Sequence, residues 1–154
     1  MKDGTARVFV YKIGDGAQRR SAEMLARVFR EEFGVEVDYT KIPRDEYGKP
    51  QPVSGWHFSI SHSGPYWGVA MAREAVGFDL QLRRPINERM RRRILTPEES
   101  EDLLEAWVLK EAYAKMLGVG LELGFNKISC EEIRKRCKVE DWLGREYVSY
   151  VVMT

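Results

Sequence analysis

The sequence predicts an α+β fold, built mostly of antiparallel strands with two long helical stretches. Strand-forming runs fall in clusters instead of alternating one by one with helices, which argues against a doubly wound sheet. Each half also carries strands and one long amphipathic helical pattern, the echo of a duplicated unit.

Arg7 to Ile13 alternates and is rich in β-formers, so it reads as a strand, broken by Gly14-Asp15-Gly16. Ala17 to Phe33 reads as a helix, because Ala22, Leu25, Ala26, Phe29 and Phe33 recur at helical steps and Gly34 stops it. Val35 to Lys41 reads as a short second strand, followed by a Pro/Gly-rich loop from Pro43 to Gly55. Trp56 to Ser61, Trp67 to Ala72 and Ala75 to Leu80 are β-like, and their short separations predict an antiparallel meander. Asn87 to Arg93 reads as a short basic helix. Thr96-Pro97-Glu98-Glu99 has the composition of a helix start, and the helical pattern runs on to Leu117 and Gly118. A strand near Phe125 to Cys130, a charged turn, and a strand near Tyr147 to Met153 complete the chain.

A length of 154 residues fits one domain, 1–154, able to bury a core without disulfides or a structural metal. The formal charge is +1, from 25 basic and 24 acidic residues, which gives no support for a general nucleic-acid binder. No segment is long and apolar enough to span a membrane. Cys130 and Cys137 match no zinc or redox spacing, and the start, MKDGTARVF, lacks the apolar stretch of a secretion signal; both point to a reducing cytoplasm. The basic run Arg83 to Arg93 reads equally as a solvated face or as a dock for an anionic partner. Monomer and dimer stay open.

Three features carry chemistry. Phe58-Ser59-Ile60-Ser61-His62-Ser63-Gly64 places hydroxyls and an imidazole at a strand end, which suits anion binding or a plain polar turn. In Gly77-Phe78-Asp79-Leu80-Gln81, Asp79 and Gln81 share one strand face, where a carboxylate and an amide oxygen can bind a hard cation, although taken alone the pair reads more readily as an exposed strand face. Trp107, Glu111 and Lys115 lie four apart on one helix face. Taken alone, Glu111 and Lys115 are an ion pair worth about 0.3–0.5 kcal/mol. Taken together, the acids, amide, lysines and His/Ser pair are the parts of metal-assisted phosphoryl chemistry. A Walker loop, a kinase glycine loop and a GxSxG elbow are absent.

Tyr47-Gly48-Lys49-Pro50, FSISHSG, GFDLQ, LTPEE and WVLKEAYAKMLGVGL, in that order over residues 47 to 121, resemble the 4′-phosphopantetheinyl transferases. The resemblance is closer to the surfactin-synthetase-activating type than to the small trimeric synthases. It implies the family's pseudo-duplicated fold, with coenzyme A as substrate, Mg2+ as cofactor and an apo acyl or peptidyl carrier protein as acceptor. It implies metal binding by Asp79, Glu111 and Glu99, with Gln81 standing where the family usually has another acid. Glu99 would be metal ligand or general base. Lys115 would contact the transferred phosphate and Lys110 precedes the metal acid. Ser61 and His62 would hold coenzyme A phosphates, Lys49 and Pro50 would line the nucleotide site, and Arg19 would stand near the 3′-phosphate. The chain is shorter than this subtype, mainly in its first half. Two other readings stay open: a module that holds coenzyme A without transfer, and an interaction domain without nucleotide.

Overall fold

The computed structural model describes residues 5–119 and 124–154. Two three-stranded antiparallel sheets form from one repeated chain order. In the first half, β1 (Arg7–Lys12) leads to helix α1 (Ser21–Phe33), then β2 (His57–Ser63) and β3 (Tyr66–Ala72). In the second, β4 (Val76–Leu82) leads through α2 (Arg91–Ile94) to α3 (Leu103–Leu117), α4 (Cys130–Arg136), β5 (Lys138–Leu143) and β6 (Tyr147–Met153). The sheet orders are β1-β3-β2 and β4-β6-β5, so in each half the last strand sits in the middle. The predicted duplication is therefore a shared topology.

Period-two burial fixes the layers. Trp67, Val69 and Met71 of β3 face α1, where they meet Leu25, Val28 and Phe29. Ala70 and Ala72 face the other way and pack with Phe78, Leu80, Val151 and Met153 of the second sheet. Val148, Tyr150 and Val152 then face α3 with Leu109, Ala112 and Met116. The sheets thus pack on each other, with a helix layer outside each.

Along one edge they are joined by side chains. The hydroxyls of Ser59, Ser61 and Ser63 accept the backbone N–H groups of Phe78, Leu80 and Leu82, each at 3.0 Å. These bonds take the place of a strand partner for the edge of β4, whose N–H groups would otherwise be unpaired.

Five expectations are corrected. Val35 to Lys41 forms no strand: Asp38 accepts the Thr40 N–H at 3.0 Å and turns the chain into a single 3-10 turn, Tyr39–Lys41, while Val35 and Val37 pack on the α1 core. The meander stops after β3, because β3 already has β1 and β2 as neighbours, and β4 pairs with β6 instead. Thr96 to Glu99 closes a turn, not a helix. Glu99 accepts the Thr96 N–H at 2.8 Å as a capping glutamate would, and α3 starts later, capped by Asp102. Phe125 to Cys130 is a 3-10 turn, Phe125–Lys127, followed by α4, whose cap is Ser129. The predicted charged turn contains edge strand β5; its charges suit an edge that faces water.

β4 touches α3 without an intervening side chain. A Cβ on Gly77 would fall inside the van der Waals shells of Ala112 O and Met116 N, both backbone atoms of α3. Gly77→Ala is therefore expected to cost about 3 kcal/mol or more. Gly34→Ala, at a left-handed helix cap with φ 66° and open space around it, is expected to cost about 1–2 kcal/mol. Urea unfolding of the two variants checks the ranking; equal losses would refute the close-approach account.

Candidate functional site

A cavity of ≈ 270 Å³ opens between the loop before β2, β2 itself and the C-terminal end of α3; Tyr39, Tyr47, Lys49, Ser59, Ile60 and Lys115 line it. The loop is held by Asp45, whose Oδ1 accepts the N–H groups of Tyr47 and Lys49, both at 2.9 Å. Lys49 Nζ donates to Met116 O at 2.6 Å, a carbonyl near the C-terminus of α3, where the helix dipole favours a cation. Burial pushes the Lys49 ammonium below its usual range, and Asp45 opposes that shift. Pro50 lines the same cavity.

Beside the cavity lies a buried carboxylate. Asp79 is 3% exposed. Its Oδ1 accepts from Lys115 Nζ at 3.1 Å and from Ser61 Oγ at 3.2 Å, while Oδ2 accepts from Gln81 Nε2 at 3.4 Å. Lys115 Nζ also donates to Ile60 O at 3.2 Å and Phe78 O at 3.0 Å, so one ammonium bridges the edge strands of both sheets. Glu111 stands one turn before Lys115 on α3. Burial pushes its carboxyl upward and the charge of Asp79 pushes it further, with Lys115 opposing.

Two carboxylates close enough for the charge of Asp79 to act on Glu111 form a donor set suited to a divalent cation. The Gln81 amide already touches Asp79, and a flip of the amide would turn its oxygen to the same place. The residues present fit a magnesium site made of Asp79, Glu111 and Gln81.

The sequence profile of the 4′-phosphopantetheinyl transferase superfamily matches residues 75–153, from the start of β4 to the end of β6. The chain belongs to this superfamily. The 4′-phosphopantetheinyl transferase Sfp of Bacillus subtilis (strain 168) is 27% identical over 134 residues, which cover 77% of this chain and 60% of the relative. A 4′-phosphopantetheinyl transferase of Bacillus pumilus is 25% identical over 130 residues, covering 75% of this chain and 56% of the relative. Another from Bacillus subtilis is 31% identical over 111 residues, covering 63% and 50%. The chain thus spans between half and 60% of the length of these relatives. The matches support the surfactin-activating type.

As a superfamily member, the chain brings Asp79, Gln81, Glu111, Lys115 and Ser61 together and sets Lys49 and Pro50 in the adjoining cavity. Other sequence-predicted residues lie elsewhere. His62 is exposed on β2, Arg19 is exposed on the 3-10 turn before α1, and neither lines the cavity. The Ser61 hydroxyl is turned to β4 and fully engaged there. Tyr39 and Ser59, which sequence reasoning missed, line the cavity. The period-two serines of FSISHS were the available signal for Ser59; Tyr39 had none, because its segment read as a strand.

Glu99 and Lys110 form a second centre. Lys110 is fully buried and its Nζ donates to Ile94 O at 2.6 Å, Glu99 Oε1 at 2.6 Å and Phe125 O at 2.9 Å. Glu99 Oε2 accepts the Cys130 N–H at 2.8 Å. Among the described residues, the three acidic or thiol groups whose ligand atoms lie within 4.8 Å of one another are Glu99, Glu101 and Cys130; Asp79 and Glu111 are not among them. Burial, then the charge of Glu99, pushes the Cys130 thiol up to about 12, so it stays protonated. The group is a hydrogen-bonded knot that ties α2, the Phe125 turn and α4 to α3.

Burial raises the Glu99 carboxyl, but hydrogen bonds from Lys110, Thr96 and Cys130 outweigh it and hold the group at about 2, below its ordinary 4.5. A depressed carboxyl stabilises the fold fully above its unfolded value and loses that contribution as the pH falls through its folded value. About 3 kcal/mol is therefore expected to disappear between pH 4.5 and about 2. Urea unfolding against pH checks this: Glu99→Gln should start less stable at neutral pH and show a shallower acid slope. An unchanged slope would show that the knot does not titrate.

Proposed function

We propose that this chain transfers the 4′-phosphopantetheine arm of coenzyme A to a serine of an apo acyl or peptidyl carrier protein, with release of 3′,5′-ADP. The observation that carries the reading is the Asp79–Glu111–Lys115 centre beside a cavity lined by Lys49. Its relatives are named 4′-phosphopantetheinyl transferases, which supports the same reaction class.

In this reading the cavity between the Tyr47–Pro50 loop and β2 takes the nucleotide end, and Lys49 supplies positive charge to its phosphates. His62 and Arg19, exposed at the strand end and before α1, reach the outer phosphate groups. Asp79, Glu111 and the Gln81 amide oxygen would hold magnesium, which would offset the charge of the pyrophosphate. The carrier serine hydroxyl attacks the phosphorus nearer pantetheine, its bond to the 3′,5′-ADP oxygen breaks, and the serine proton leaves to a base. Lys115 stabilises charge that grows on the phosphoryl oxygens. Glu99, enclosed by its donors and held at about 2, is a weak base, and its part is to fix Lys110 and the start of α4. The 154 residues act as one domain in the cytoplasm, where Cys130 and Cys137 stay as free thiols.

Incubation with coenzyme A, magnesium and a panel of apo carrier proteins should add the mass of one phosphopantetheine arm to a carrier. Glu111→Gln should abolish that gain with the circular dichroism spectrum unchanged. A variant that modifies carrier at the normal rate would remove Glu111 from the reaction.

Exposed Arg91 and Arg92 on α2 face solvent beside the Thr96 turn, and a basic surface suits an acidic carrier protein. Charge reversal at both is expected to raise KM for the carrier several-fold and to leave coenzyme A affinity unchanged. The opposite pattern in steady-state kinetics and calorimetry would put these arginines at the nucleotide.

A further inference from the structure

We propose that Ser61 is a positioning residue for the carboxylate of Asp79 and does not touch the nucleotide. The proposal rests on the reading of Asp79 as a cation ligand.

Ser59, Ser61 and Ser63 stand on one face of β2 and make the same bond to β4, each accepting a backbone N–H at 3.0 Å. Closing the seam between the sheets therefore treats the three alike. Ser61 differs in two ways. It is the buried member, at 5% exposure, where Ser59 and Ser63 are half-buried. Its Oγ also lies 3.2 Å from Asp79 Oδ1 and 3.4 Å from Leu80 O. A serine hydroxyl has a single proton. Since Ser61 uses a lone pair to accept from Leu80 N, that proton is left for the shorter contact, the Asp79 carboxylate.

The consequence falls on the other oxygen of Asp79. Ser61 and Lys115 both donate to Oδ1, whereas Oδ2 has only the long 3.4 Å contact from the Gln81 amide. Two donors on one oxygen fix the rotation of the carboxylate and leave Oδ2 as the oxygen with free lone pairs. Gln81 shares the strand face of Asp79, so Oδ2 is presented on the side where that amide oxygen can join it. Groups that orient a metal-binding carboxylate commonly alter affinity by tenfold or more when removed. A phosphate at Ser61 would have to displace either the Leu80 N–H or the Asp79 carboxylate.

The test measures Mn2+ binding by the loss of free-ion electron paramagnetic resonance signal, and 3′,5′-ADP binding by calorimetry in EDTA. Ser61→Ala should weaken Mn2+ binding about tenfold, while Ser59→Ala and Ser63→Ala leave it unchanged. Ser61→Ala and Ser63→Ala should keep the wild-type affinity for 3′,5′-ADP without metal; Ser59, which lines the cavity, serves as a control for Mn2+ binding alone. Ser61→Thr, which restores the hydroxyl, should recover Mn2+ affinity. Should Ser61→Ala not fold, Ser61→Cys, a weak donor, takes its place with the same expectation.

A loss of 3′,5′-ADP affinity in Ser61→Ala with Mn2+ binding intact would make Ser61 a nucleotide contact and overturn the proposal. Equal loss of Mn2+ affinity in all three alanine variants would assign the effect to the seam and overturn it too. Wild-type protein that binds Mn2+ as tightly as Asp79→Asn would instead overturn the cation reading of Asp79, on which the proposal stands.

Discussion

The contact between the backbone of α3 and Gly77 is the constraint on which the site depends. Side chains normally hold a helix away from a sheet, and here one is missing at the contact. Asp79 and Gln81 follow Gly77 on the same strand face at steps of two, so the helix that meets Gly77 lies over them as well. Glu111 and Lys115 precede and follow the Ala112 contact on α3. A glycine, an acid and an amide on a strand thus meet an acid and a lysine on a helix because one Cβ is absent.

Lys115 makes this meeting electrostatically tolerable. A buried carboxylate without a partner is strongly unfavourable, and Asp79 has a cation, a hydroxyl and an amide around it. The same ammonium ties carbonyls of β2 and β4, so the charge balance of the site and the join between the sheets share a group. Lys110 and Glu111, adjacent in sequence and so about 100° apart around α3, serve different centres. Lys110 enters the knot with Glu99, and Glu111 enters the cation site. A helix buried on most of its circumference can hold both, since neighbouring turns and helices cover it.

Much of this was legible in the sequence where local chemistry and tertiary demand agree. Arg7–Lys12, Tyr66–Ala72 and Tyr147–Met153 alternate or run apolar as strands do, and they are strands. The helix end at Gly118 follows from its left-handed φ of 77°. Reading failed where a side chain captured the backbone. Asp38 ended a strand pattern, Ser129 began a helix in a strand-like run, and Glu99 kept its capping bond to Thr96 while Lys110 drew its carboxylate inward. At the site, the shared face of Asp79 and Gln81 and that of Glu111 and Lys115 were visible as spacing. The separation of Glu99 from them was not, because it is set by Lys110, whose direction off the helix no periodicity reveals.

The two halves share a topology but not a spacing, and this difference accounts for where the chemistry sits. On the first sheet, Phe9, Phe58 and Trp67 meet Phe29 and Phe33, and these large rings hold α1 away from the strands. On the second, the corresponding first strand carries Gly77 against Ala112. Wide aromatic spacing gives a dry, apolar layer with no place for a charge near the backbone. Tight spacing brings polar side chains of helix and strand within bonding distance of one another. The first half therefore contributes walls, through β2, Tyr39 and the Tyr47–Pro50 loop, and the second contributes the charged centre. Only where the edge strands β2 and β4 meet are both available at once, and there the cavity opens beside Lys115.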